Sequence, residues 1–112
     1  MNLRVGIHVR GWPGLVIDRP HGSGDYVFVH FLEPALLSRD GRLVAPAGSC
    51  VVYGPDSPTY TTSEGTIYNS FAHLSTDLTG DVLTAHPVPL EQPFTPRGTE
   101  FVLPLLSRMQ RE

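Results

Sequence analysis

Two histidines set in apolar stretches, His30 in Tyr26–Leu32 (YVFVHFL) and His73 in Thr66–Leu74 (TIYNSFAHL), are the side chains of this chain best suited to orienting a small polar molecule. An imidazole in an apolar strand supplies a donor and an acceptor where little else does. The plainer reading of each is a core or edge histidine with one satisfied hydrogen bond. Strand alternation groups His30 with Tyr26, Phe28 and Leu32, and sends Val27, Val29 and Phe31 to the other face; His73 shares a face with Ile67, Asn69 and Phe71. Parity alone leaves open which face looks inward. Tyr26, Tyr53, Tyr60 and Tyr68, with Trp12, add aromatic faces and polar tips that suit the C–H faces and hydroxyls of a sugar. For any one of them, ordinary core is the simpler account. Trp12, between Gly11 and Pro13, lies in a loop that could cover the mouth of a barrel.

Other chemistries are excluded by composition. All eight basic residues are arginine, so lysine Schiff-base and general-base mechanisms have no residue to run on. The arginines are scattered from Arg4 to Arg111 and the net charge is −3, so there is no basic stripe of the kind that grips nucleic acid. Cys50 is the only cysteine; no intramolecular disulfide can form, which suits a reducing compartment. With no cationic neighbour in sequence to lower its pKa, Cys50 reads as an inert buried thiol. No Gly-X-Ser-X-Gly elbow and no phosphate-cradling glycine loop occurs, Gly22-Ser23-Gly24 being only a turn. The N-terminus lacks a secretory pattern, and no apolar run approaches the roughly 20 residues that span a bilayer, so a soluble, cytoplasmic protein is expected.

The elements that must hold these side chains are short strands. At 112 residues, 40% apolar, the chain suffices for one domain with a real core, and eleven glycines with eleven prolines imply many turns. Leu3, Val5, Ile7 and Val9 alternate with Arg4, Gly6, His8 and Arg10, predicting a half-buried strand; Leu15–Ile17 is a short second one. Tyr26–Leu32 is apolar on both faces and predicts a central strand. Ala35–Ser38 and Arg42–Ala45 flank Arg39-Asp40-Gly41, a hairpin signal. The proline-bracketed run Leu43–Tyr60 then reads as strand, turn, buried strand (Ser49–Tyr53), rigid turn (Gly54–Pro58) and new strand. Thr59–Thr62, Thr66–Leu74 and Val82–Ala85 complete the strand set. Val102, Leu105, Leu106 and Met109 fall on one helical stripe, with Pro104 in the first turn of a helix starting near Leu103. A helix so short is marginal alone, so it packs on something or the native chain continues. The pattern predicts an all-β barrel or jelly roll with a helical appendage.

Taken in order, several motifs resemble the sensor domain of AraC-type transcriptional regulators. They are Arg19-Pro20-X-Gly22-X-X-Asp25-Tyr26, then Pro46-Ala47-Gly48-Ser49-Cys50-Val51-Val52-Tyr53-Gly54-Pro55 with Pro58, then Phe71-Ala72-His73-Leu74, and the tail from Val88 to Glu112. The resemblance implies a cupin-like double-stranded β-helix, a jelly-roll barrel, over residues 1–96. It also implies the start of a C-terminal linking and dimerisation helix over 97–112, with the paired helix-turn-helix DNA-binding domain absent from this stretch. A small effector, often a sugar or related metabolite, would bind in the barrel, with Tyr26, Phe28, His30, Tyr60, Tyr68 and His73 as candidate contacts. Val102, Leu105, Leu106 and Met109 are the candidate seam of a homodimer. DNA would be contacted only through the missing domain, and no membrane partner is implied. The metal-binding pattern of enzymatic cupins is not met: His30 and Glu33 lack a second histidine two residues away, and the later histidine and asparagine positions fall on Thr59 and Ser63. Neither catalytic residues, metal nor cofactor are therefore expected. The rival reading is a stand-alone small cupin, either a metal-dependent enzyme or a non-catalytic binding protein.

Overall fold

Alternating apolar residues broken by proline and glycine turns fold, among the described residues, as eight short antiparallel strands. A computed structural model of the chain describes residues 4–74 and 90–95. The strands are β1 (Arg4–Arg10), β2 (Ile17–Arg19), β3 (Tyr26–Phe31), β4 (Ala35–Leu36), β5 (Val44–Ala45), β6 (Cys50–Tyr53), β7 (Thr59–Thr61) and β8 (Tyr68–Leu74). The described residues contain no helix, and hence none long and apolar enough to cross a membrane. The predicted strand Val82–Ala85 and the helical stripe of Val102, Leu105, Leu106 and Met109 lie outside the described residues.

The strands pair as the rungs of one long hairpin: β4 with β5, β3 with β6, β2 with β7 and β1 with β8. Its tip is the turn around Gly41, where φ is +72° and a residue without a side chain is favoured. Rolling that hairpin brings β3 against β8 as well, giving a front sheet in the order β1-β8-β3-β6. Leu36 and Thr62 exchange backbone hydrogen bonds of 2.8 and 3.0 Å, which joins the two smaller ribbons into a back layer, β2-β7-β4-β5. Residues 90–94 continue the front sheet beyond β6 through bridges of Leu90 to Val52 and Phe94 to Cys50. Among the described residues these sheets do not close into a barrel.

The two layers bury the odd-numbered face of β3. Val27, Val29 and Phe31, with Val51 and Tyr53 of β6, pack on Ala35, Leu37 and Ala45 of the back layer. Phe31 and Val51 are fully buried, and each such side chain contributes about 1.5–3 kcal/mol. Tyr53 reaches across to a hydrogen bond with the Thr61 side chain, which fixes this face as the one between the layers. Burial pushes the Tyr53 phenol up to about 12; Glu91 adds to the rise and the Thr61 bond opposes it.

One departure from strict alternation shapes everything on the other face. Gly6 pairs with Phe71 and Val9 with Asn69, so β1 spends three steps where β8 spends two. The extra residue is a β-bulge at Ile7-His8, with His8 in the left-handed region at φ +51°. The expected shared face of Val5, Ile7 and Val9 is broken here. Val5 lies opposite Ala72, while Val9 is switched to the Phe71 side and left exposed.

Candidate functional site

A polar row crosses the outer face of the front sheet, perpendicular to the strands. From β1 to β6 it reads His8, Ser70, His30, Cys50. The His8 backbone N–H donates to Ser70 Oγ at 3.0 Å. His30 stands directly opposite Ser70 on one side and Cys50 on the other, positions whose Cβ atoms lie about 4.5–5.5 Å apart. The bulge makes this row: it turns both Ile7 and His8 toward the outer face, where strict alternation would have separated them. Ser70 and Cys50 are fully buried and His30 nearly so, while His8 is exposed.

Around the row the neighbouring side chains are apolar. Cys50 and Ala72 form a buried pair on which Val5, Ile7, Phe28 and Phe94 pack. At its β1 end the row meets Tyr68, whose ring lies 5.9 Å from the His8 ring in an edge-on arrangement. Arg10 lies over that ring, 4.1 Å from its centroid, and also donates to Thr66 Oγ1 at 2.9 Å and pairs with Glu33. The exposed Arg10–Glu33 pair contributes little to stability.

His30 Nδ1 is buried and has no hydrogen-bond partner. A backbone hydrogen bond at Gly48 favours the protonated ring. Burial, first, and the charge of His8, second, hold His30 below the usual imidazole value, keeping it neutral near pH 7. Burial likewise pushes the Cys50 thiol up to about 12, so it is a neutral wall of the site and no nucleophile.

The sequence-derived candidates are thus divided. Phe28, His30 and Tyr68 share the outer face of the front sheet, and Tyr26 joins them by strand parity. His73 lies on the inter-layer face, edge-on to Phe71 at 5.8 Å, with Nδ1 3.1 Å from Asp25 Oδ1. Tyr60 is in the back layer opposite Asp18, on the side away from Thr61, beneath the guanidinium of Arg39, which pairs with Asp18. Trp12 is exposed in its turn. Sequence reasoning missed His8 and Ser70; a left-handed residue inside an alternating strand leaves no periodic signal, and Ser70 is an unremarkable small polar residue. Among the described residues no three His, Cys, Asp or Glu side chains gather in a group suited to a metal ion. No protein-family model and no curated protein matches the chain.

Proposed function

We propose that the chain is a small-molecule sensing module, the effector-binding part of an AraC-type transcriptional regulator, with a jelly-roll, cupin-like architecture. The hairpin-like pairing of β1–β8, β2–β7, β3–β6 and β4–β5 into two layers supports that architecture, because rolling one long antiparallel ribbon is how a jelly roll is made. The observation that carries the binding reading is the unpartnered His30 Nδ1. A buried polar atom without a partner costs about 1–3 kcal/mol, and a site that holds a ligand repays that cost when the ligand arrives. His30, Ser70, Phe28 and Tyr68 form the binding face in this reading, with Tyr26 at its margin; Tyr60 and His73 fall outside it.

Regulation arises if the ligand prefers one of two arrangements of the segments flanking the sheet, since a ligand shifts an equilibrium only by its differential affinity. Homodimerisation and DNA contact belong to the proposed longer regulator. Screening the protein against a metabolite panel by thermal shift tests the reading: a true effector raises Tm with concentration by mass action. The same effector should leave the Tm of His30→Leu unmoved. Binding that survives this substitution in full would place the site elsewhere. Reading the gene beyond codon 112 tests the regulator assignment, which requires a helix-turn-helix pair in frame.

A further inference from the structure

Residues 90–94 close the β6 edge of the front sheet, yet little holds them there. Cys50 N–H donates to the Phe94 carbonyl at 2.7 Å, and the Cys50 carbonyl accepts from Phe94 N–H at 2.9 Å. The Val52 carbonyl accepts from Glu91 N–H at 2.8 Å. The bridge at Leu90 is parallel and that at Phe94 antiparallel, so the chain reverses between them. The reversal puts Glu91 at φ +63°, a left-handed conformation that costs any residue with a long side chain. Leu90, Glu91 and Gln92 are exposed and Phe94 is half-buried. The chief apolar anchor of the segment is the contact of Phe94 with Cys50 and Ala72.

We infer that residues 90–94 are a releasable strap, which detaches from β6 while the two layers stay folded and, when closed, covers the Cys50 end of the His30 row. The other edge of β6 is held quite differently. It pairs with β3 along Val27–His30, continued by Phe31 N–H to the Ser49 carbonyl at 2.9 Å, and Phe31 and Val51 are fully buried there. Releasing the strap gives up one half-buried ring and a few rungs, and it relieves the backbone at Glu91. Parting β6 from β3 would open the core between the layers. Segments with little buried apolar area and much exposed backbone open first, well before the body unfolds. Release bares the backbone groups of Cys50 and Val52, and with them the thiol that stands opposite His30. The strap therefore governs access to that end of the row. That this end belongs to a ligand site rests on the reading of the His30 face given above; the release itself does not.

Amide hydrogen exchange on the full chain tests this without a variant. The amides of Cys50, Glu91 and Phe94 are expected to exchange together, about tenfold or more faster than that of Phe31 once intrinsic rates are divided out. Alkylation of Cys50 should report the same opening: its rate should change little with urea well below the unfolding midpoint, and join the steep global dependence only near it. Phe94→Ala should raise exchange at Cys50 about tenfold further and leave Phe31 as it was. A fixed edge strand would instead protect all four amides equally, give alkylation that follows global unfolding at every urea concentration, and speed Cys50 and Phe31 alike in the variant. Any of these results overturns the strap. None of the measurements uses a ligand, so the strap can fall while the His30 site stands. Failure of His30→Leu to alter an effector's thermal shift would remove the site and leave the strap.

Discussion

His73 Nδ1 and Asp25 Oδ1 stand 3.1 Å apart, and the same carboxylate oxygen accepts from Ser23 Oγ at 3.0 Å. Asp25 immediately precedes β3 and His73 is near the end of β8, so the contact ties the loop that enters the central strand to its neighbour. His73 is buried while Asp25 is about one-third exposed (33%), which screens the carboxylate. Asp25→Ala should lower stability by about 1 kcal/mol. A double-mutant cycle with His73→Leu, measured by denaturant unfolding, should return a coupling of the same order; zero coupling would remove the pair as an interaction.

The lowered pKa of His30 fixes a sign for pH dependence. The unfolded ring, near 6.5, takes a proton more readily than the folded one. Stability from this group is therefore complete above that value, falls as pH drops through it, and levels off once the folded ring also titrates. Among the described residues, the charged or titratable groups on its face are His8 and Arg10 on β1, Tyr68 on β8, Tyr26 on β3 and Cys50 on β6; His8 adds to the shift and the Gly48 backbone opposes it. The loss of Tm between about pH 8 and about pH 5.5 should be smaller in His30→Leu than in the wild type. His8→Ala should shrink it too, by removing one of the two causes. A wild-type pH profile identical to that of His30→Leu would contradict this account.

Cys50 provides a kinetic test of burial. With the thiol raised from 9.0 to about 12, the thiolate fraction at about pH 8 falls roughly a thousandfold. Alkylation by iodoacetamide should be slower than for a free thiol by at least that factor, and should reach the ordinary rate in denaturant. Fast labelling of the native protein would mean that the layer formed with Phe94 opens readily.

Two glycines of positive φ should respond very differently to alanine. At Gly48, φ is +86° and a Cβ would meet open space, so Gly48→Ala carries only the conformational penalty of about 1–2 kcal/mol. At Gly22, φ is +79° and the new Cβ would lie 2.3 Å from the Pro55 carbonyl oxygen. There the turn between β2 and β3 rests on the turn between β6 and β7, with Gly24 donating to the same carbonyl at 3.0 Å. Gly22→Ala should cost about 3 kcal/mol or more, strain and displacement together. Equal losses in chemical denaturation would show that the two turns are not in firm contact.

Most of the strand pattern was legible because local chemistry and the fold agree. Tyr26–Leu32 reads as central from its two apolar faces, and β3 indeed lies between β8 and β6. The Asp40-Gly41 turn sits at the tip of a hairpin, although only Ala35–Leu36 and Val44–Ala45 pair as strand. The second strand forms at Ile17–Arg19 rather than Leu15–Ile17, because its register is set by Thr59–Thr61 across the back layer, a partner some forty residues away. The site was legible only in part. His30 and Tyr68 stand out as polar groups in apolar strands, but two apolar faces on β3 conceal which one the back layer covers. Deciding that took the long-range contact between Tyr53 and Thr61. The bulge that brings His8 beside Ser70 has no periodic trace at all.

That same irregularity shapes the open edge of the front sheet. β1 is the margin of the front sheet among the described residues, and a straight margin invites an incoming strand to zip on and propagate into fibrils. The left-handed kink at His8 interrupts the row of outward-pointing amides and carbonyls midway along β1. A second chain would find at most a few consecutive rungs on either side of the break, too few to hold. Straightening the margin by deleting His8 would restore an even ladder and, with it, a template for aggregation.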